Sequence, residues 1–309
     1  MKNKKILLFI FGTLFIFLVI QIMSKHLTGD TVGPKGDKLQ VSTSFYPLYF
    51  FSQSIGGNKA NVQNITPAGS EPHDYDPTTQ DIVRIERGNM LVLNGGVEAW
   101  ADKVIQNLNG SKVKIIIAGD KLINKEIVEE GKKQKDPHIW LDPVLAKKEV
   151  SKITAGYIEI DPPNSTYYKT NETVLATKLD ELDTKFREAL ENCQRKNFIT
   201  SHAAFGYLAS RYGLNQVAIS GLSPDEEPSA QQLAQVAAFA KEHSVKYIFF
   251  ESLVSPKLSE TVAHEIGART LVLDPIEGLS DDDSKQGKNY FTIMEENLKN
   301  LQEALQCRT

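Results

Sequence analysis

The sequence predicts an α/β protein of two lobes, each a mainly parallel β-sheet flanked by helices, with the lobes joined by a long rigid α-helix. Three observations predict it. Short β-branched runs alternate with amphipathic helical patterns along most of the chain. One unbroken helical pattern covers residues 165–192. And 309 residues with 41% hydrophobic content are too many for one small core.

Taken in order, "MKNKK" precedes the apolar run "ILLFIFGTLFIFLVIQIM", residues 6–23. Eighteen residues of helix reach about 27 Å, close to the hydrocarbon thickness of a bilayer. The run exceeds the usual apolar core of a secretory signal, and no A-x-A site follows it. Residues 1–25 are therefore expected to be a membrane anchor or signal segment. The leading lysines stay in the cytoplasm, which places the rest of the chain outside. Residues 26–38, rich in Gly, Pro, Thr and charge, read as a flexible tether.

The first lobe, residues 39–164, offers "LQVSTSFY", "ANVQNIT", "NMLVLNGG" and "VKIIIAG" as strands, with helices between them. A helix through "VLAKKEVSKITAGYIEI" follows and "DPPNS" ends it. In residues 165–192, Val174, Leu175, Leu179, Leu182, Phe186 and Leu190 are spaced for one helical face about 40 Å long, with no Gly or Pro inside. The second lobe, residues 193–309, repeats the alternation with "NFITSH", "NQVAIS", "VKYIFFE" and "RTLVLDP" as strands. A strut without a hinge predicts modest lobe or loop movement rather than wide closure.

The net charge of −4, with no basic stripe, gives no reason to expect nucleic acid. Two cysteines, Cys193 and Cys307, exclude a four-thiolate zinc site. Outside the cytoplasm they could pair and staple the last helix to the second lobe. Two free thiols are the alternative.

Of six histidines, His26 lies in the tether, and His243 and His264 fall on surface helix positions. The other three share a setting. His73 lies in "PAGSEPHDYDPT" after the second strand, His138 in "DPHIWLDP", and His202 ends "NFITSH". Asp274 finishes "RTLVLD" in the same manner. Ligands of parallel sheets bind beyond the carboxyl ends of the strands, so each lobe supplies two candidates. Three imidazoles and a carboxylate suit Zn²⁺, and four protein ligands leave no place for the water that catalytic zinc needs. Such long separations fit many arrangements, however, and ordinary solvated histidines fit them too.

The stretches "PAGSEPHDYDPT", "NGGVEAW", "DPHIWLDP", "SHAAFGYLA" and "GLSPDEEPSAQQL" resemble those of the ZnuA/TroA-like solute-binding proteins, the metal-capturing subunits of zinc and manganese ABC importers. The resemblance runs in order from about Leu39 to the C-terminus. It implies a metal site in the interlobe cleft, with His73, His138, His202 and Asp274 as ligands. It also implies Zn²⁺ as cargo, with Mn²⁺ or Fe²⁺ as alternatives, and an ABC permease with its cytoplasmic ATPase as partner. The expected molecule is a monomer, not an enzyme, outside the cytoplasm. In this family the third ligand is histidine in zinc proteins and often glutamate in manganese proteins; here it is His202. Imidazole suits zinc, and zinc stands above manganese in the general affinity order.

Two departures stand out. No lipid-bearing cysteine follows the apolar run, whose helix would keep the protein at the membrane instead. The segment 121–135, histidine-rich in many zinc members, holds no histidine here, so an auxiliary zinc site in it is not expected. Asp142 and Glu251 are candidates for fixing ligand histidines through their second ring nitrogens. Trp100 and Trp140 read as packing residues. The competing readings are an extracytoplasmic zinc hydrolase, against which the lack of HExxH counts, and a cell-adhesion module.

Overall fold

Two four-stranded parallel sheets carry the molecule. The computed structural model describes residues 38–129 and 132–308. The apolar run 6–23 and the tether, apart from Lys38, lie outside them. Among the described residues no helix is long and apolar enough to cross a membrane.

In the first lobe β1 (Leu39–Thr43), α1 (Tyr46–Gly56), β2 (Ala60–Asn64), α2 (Thr79–Arg87), β3 (Met90–Leu93), α3 (Ala101–Asn107) and β4 (Lys114–Ile117) follow one another. The strands lie in the order β2-β1-β3-β4, all parallel. A short antiparallel hairpin comes next, β5 (Glu126–Glu129) and β6 (Lys132–Lys135), then α4 (Pro143–Ile160). The hairpin was not expected: "KEIVEEGKKQK" reads as a charged loop. Its register sets Glu126 opposite Lys135, and Lys133 Nζ lies 3.0 Å from Glu126, so opposite charges on facing strands support it.

The strut α5 (Ser165–Glu191) leads to β7 (Asn197–Thr200), α6 (Gly206–Arg211), β8 (Asn215–Ala218), α7 (Ala230–Glu242), β9 (Tyr247–Phe250), α8 (Lys257–Ile266), β10 (Arg269–Val272), α9 (Asp281–Lys285) and α10 (Tyr290–Leu305). The second sheet has the order β10-β9-β7-β8, again parallel. All strands of a sheet run the same way because every connection between consecutive strands passes through a helix.

The strut buries Tyr168, Leu175, Leu179, Leu182, Phe186 and Leu190 along one stripe. Val174, expected on that stripe, is 54% exposed instead, because consecutive helical residues point about 100° apart. The helix packs on α1 and α4 in the first lobe and on α10 in the second. One apolar core runs through both lobes, from Val41 and Phe51 by way of Leu179 and Phe186 to Phe198, Phe249 and Leu301. Smaller clusters lie around Leu91 and Trp100 in the first lobe and around Ile199 and Ile248 in the second. Cys193 and Cys307 are disulfide-bonded, tying the chain just beyond α5 to the end of α10.

Within this core Glu149 of α4 is fully buried, and neither carboxylate oxygen has a hydrogen-bond partner among the described residues. Burial pushes its acid well above the ordinary value, so the folded protein keeps a proton that the unfolded chain releases. Stability therefore falls as pH rises past the ordinary carboxylate range. Glu149→Gln removes that penalty. Its melting temperature should exceed the parent's by at least about 2 °C at pH 8 and by less at pH 5. A variant that loses ground as pH rises would contradict this.

Candidate metal centre

Four side chains meet where the carboxyl ends of the two sheets face each other. His73 follows β2 on a loop whose far end is fixed by a capping box. Thr78 Oγ1 accepts from Asp81 N–H while Asp81 accepts from Thr78 N–H, and Tyr75 OH donates to the same carboxylate. His138 stands on the turn after β6, where Asn94 Nδ2 donates to Pro137 O at 3.0 Å and ties that turn to the end of β3. His202 follows β7. Its carbonyl accepts from Thr200 Oγ1 at 2.7 Å and Gln216 Nε2 at 3.0 Å. Glu277 comes from the loop after β10.

The ligand atoms of His73, His138, His202 and Glu277 all lie within 4.8 Å of one another. Glu277 Oε1 is 3.3 Å from His73 Nε2, 3.1 Å from His138 Nε2 and 3.5 Å from His202 Nε2, and the last two nitrogens are 3.3 Å apart. A tetrahedron with ligands about 2.05 Å from zinc has edges of about 3.3 Å. Four of the six donor–donor distances are already close to that edge, and the two from His73 Nε2 to the other ring nitrogens lie within 4.8 Å. Glu277 Oε2 is buried without a hydrogen-bond partner among the described residues, so it too is available to a cation.

Asp274 is not among the four. Its Oδ2 accepts from Ser252 Oγ at 2.5 Å and its Oδ1 accepts from Ile276 N–H at 2.6 Å. Its own N–H donates to Asn297 Oδ1 at 2.8 Å. The carboxylate folds back to cap its own loop, and the chain turns so that the carboxylate three residues on reaches the cleft. Glu277 takes the place that the sequence reading assigned to Asp274.

Two further carboxylates orient the rings. Asp136 Oδ1 lies 2.9 Å from His138 Nδ1 and accepts from His138 N–H at 3.0 Å. Glu251 Oε1 lies 2.6 Å from His202 Nδ1. A carboxylate on Nδ1 keeps the proton there and leaves Nε2 free to ligate. Asp142 does none of this. It caps α4 through Val144 N–H and forms a two-pronged ion pair with Arg211. Asp136, missed in the sequence, sits two residues before His138, where the pattern Asp-Pro-His signals an Asx turn. Gly206 makes room for it, since a Cβ there would stand 2.7 Å from Asp136 Oδ2.

The electrostatics follow from the packing. Burial alone would lower His138 and His202, but the carboxylates of Asp136 and Glu277 around one, and of Glu251 and Glu277 around the other, hold both above the ordinary imidazole value. Burial alone would raise Glu277, yet the three facing rings, His202 first, hold it well below the carboxylate range. At the cleft mouth Glu71 is pushed up to about 9, by burial and then by the charge of Glu277. Two rings that hold protons firmly beside a carboxylate are an arrangement in which a divalent ion can take the protons' place. His243 and His264 are exposed on the surface, away from this centre.

Comparison with known proteins agrees with this architecture. The family model described as zinc-uptake complex component A, periplasmic (ZnuA), matches residues 41–304. The high-affinity zinc uptake system protein ZnuA of Bacillus subtilis (strain 168) is 41% identical, over 94% of each chain. The zinc-binding lipoprotein AdcA of Streptococcus pneumoniae (strain R6) is 39% identical over 97% of this chain, which spans only 61% of that longer protein. The crystal structure of the Zn(II)-bound ZnuA-like domain of S. pneumoniae AdcA superposes with a TM-score of 0.75 at 40% identity, covering 87% of this chain and 99% of the domain. Sequence, fold and the three-histidine centre agree with the resemblance read from the motifs: this chain belongs to the ZnuA family.

Proposed function

We propose that this protein is the extracytoplasmic zinc-capturing subunit of an ABC importer, which binds Zn²⁺ in the interlobe cleft and delivers it to a membrane permease coupled to a cytoplasmic ATPase. The observation that carries the reading is the convergence of His73, His138, His202 and Glu277, whose ligand atoms lie within 4.8 Å of one another, with Glu277 Oε1 within 3.5 Å of all three Nε2 atoms. Three imidazoles favour zinc over manganese. With Asp136 and Glu251 behind two of the rings, the cage matches the carboxylate–histidine–zinc arrangement. Four protein ligands leave no open position for an activated water, so the ion is cargo rather than a catalyst. The family membership and the zinc-binding relatives support the same assignment. Residues 6–23 would hold the protein at the outer face of the membrane, lysines inward, and residues 26–38 would give it reach.

Competition against a zinc-sensitive chelator tests the ligand set. Glu277→Ala should lower zinc affinity by more than about 100-fold, beyond what loss of a ring-orienting partner causes. Asp274→Asn should cost less than about ten-fold, because it disturbs only the loop. Equal losses would refute the assignment of Glu277.

Zinc needs neutral rings, whereas His138 and His202 hold protons above the ordinary 6.5. Protons therefore compete across the neutral range, and zinc affinity should climb steadily from pH 6 to 8. Calorimetry in buffers of different ionisation enthalpy should find about one to two protons released per ion at pH 7. An affinity already flat above pH 6.5 would contradict this.

A further inference from the structure

Glu277 stands at the middle of a strap that both lobes hold. The segment from Asp274 to Leu279 leaves the second sheet and crosses toward the first lobe. Pro275 O accepts from the indole Nε1–H of Trp140 at 2.7 Å. Leu279 O accepts from Gly69 N–H at 2.9 Å. Each donor comes from a first-lobe loop that carries a histidine of the centre: Trp140 lies two residues past His138, and Gly69 four before His73. Pro275 and Leu279 bracket Glu277 at equal distance along the chain.

The strap is also strained. Ile276 has φ of +60°, a left-handed conformation that a β-branched side chain resists. Such a conformation persists only where its surroundings fix it. On the second-lobe side Asp274 caps the Ile276 N–H, and Asn297 grips Asp274 from both sides of its peptide, accepting from its N–H at 2.8 Å and donating to its carbonyl at 2.7 Å. On the first-lobe side the restraints are Gly69, beyond Glu277 at Leu279, and, next to Ile276, Trp140. It is fully buried, and its carbonyl accepts from Tyr290 OH at 2.5 Å. Its ring packs edge-on against Phe45 and beside His138.

We propose that Trp140 is a positioning residue for cargo retention: its indole N–H latches the strap across the cleft and keeps Glu277 over the three imidazoles. When the latch opens, the strap can relax at Ile276 and carry Glu277 away. The ion is left with three neutral rings and a weaker hold, as handing it over requires. Both lobes stay fixed on the strut while a six-residue segment moves. This inference rests on the zinc-capture reading.

Trp140→Phe tests it, since phenylalanine keeps an aromatic ring while removing the donor together with part of the indole's volume. Stopped-flow chelator competition on the zinc-loaded protein should show dissociation about ten-fold faster, with association changed less than about three-fold. The metal-free protein should lose some melting temperature to the vacated indole volume, and the zinc-induced increment should shrink in addition. In a Glu277→Ala background, Trp140→Phe should have no further effect on dissociation, because the residue acts through Glu277. Should Trp140→Phe fold poorly, Tyr290→Phe, which loosens the same indole's backbone, should speed dissociation in the same direction by a smaller factor. A parent protein that binds no zinc would reject the capture reading. A zinc-binding parent whose Trp140→Phe variant dissociates at the parental rate, or loses metal-free stability with an unchanged zinc increment, would reject the latch alone.

Discussion

One buried carboxylate facing three imidazoles is the constraint around which the rest is arranged. A lone carboxylate buried this deeply would be too costly to keep ionised, and would take up a proton instead. Glu277 stays ionised because His73, His138 and His202 surround it within 3.5 Å. Two of the rings, His138 and His202, are in turn held in place by Asp136 and Glu251 at their far nitrogens. Without an ion, the protons that His138 and His202 hold more firmly than ordinary imidazoles offset these acids. With one, the ion takes over that role. Capture is thus an exchange of ring protons for a metal, in a cage whose ligand atoms already converge.

The scaffold explains why the cage can be set in advance. The 27-residue strut has no interior Gly or Pro, and its apolar stripe joins the cores of both lobes into one. A wide hinge opening would break that core, whereas the loops beyond the strand ends can shift without touching it. The disulfide between Cys193 and Cys307 fastens α10 beside the strut. From α10, Asn297 and Tyr290 reach the strap and Trp140. Rigidity in the body and adjustability in one segment are compatible because different contacts carry them.

Much of this was legible in the sequence, for identifiable reasons. Parallel strands buried on both faces leave continuous apolar runs such as "MLVL" and "YIFF", and the strut's stripe shows helical spacing. The three histidines could be found because each follows a strand or a Pro-bounded turn at the end where ligands gather. The carboxylate that meets the three rings could not be found that way. "LDPIEG" offers two carboxylates, and the rule favours the nearer, Asp274; choosing Glu277 needs the Asx-type turn that the Asp274–Ile276 bond closes and the contact of Asn297, 23 residues away. Asp142 misled for a related reason. An Asp before Pro is a helix-cap signal, and capping, together with Arg211, occupies it fully. Trp140 looked like packing, and it does pack; its second role lies in one N–H whose acceptor is 135 residues distant.

The most direct test of the central claim is the crystal structure of the zinc-loaded protein. One ion should sit in the cleft with Nε2 of His73, His138 and His202 and the carboxylate of Glu277 at about 2.0–2.2 Å, and with Asp274 still turned to Ser252 and Ile276. An ion held by Asp274, or one with a water where Glu277 should be, would contradict the account.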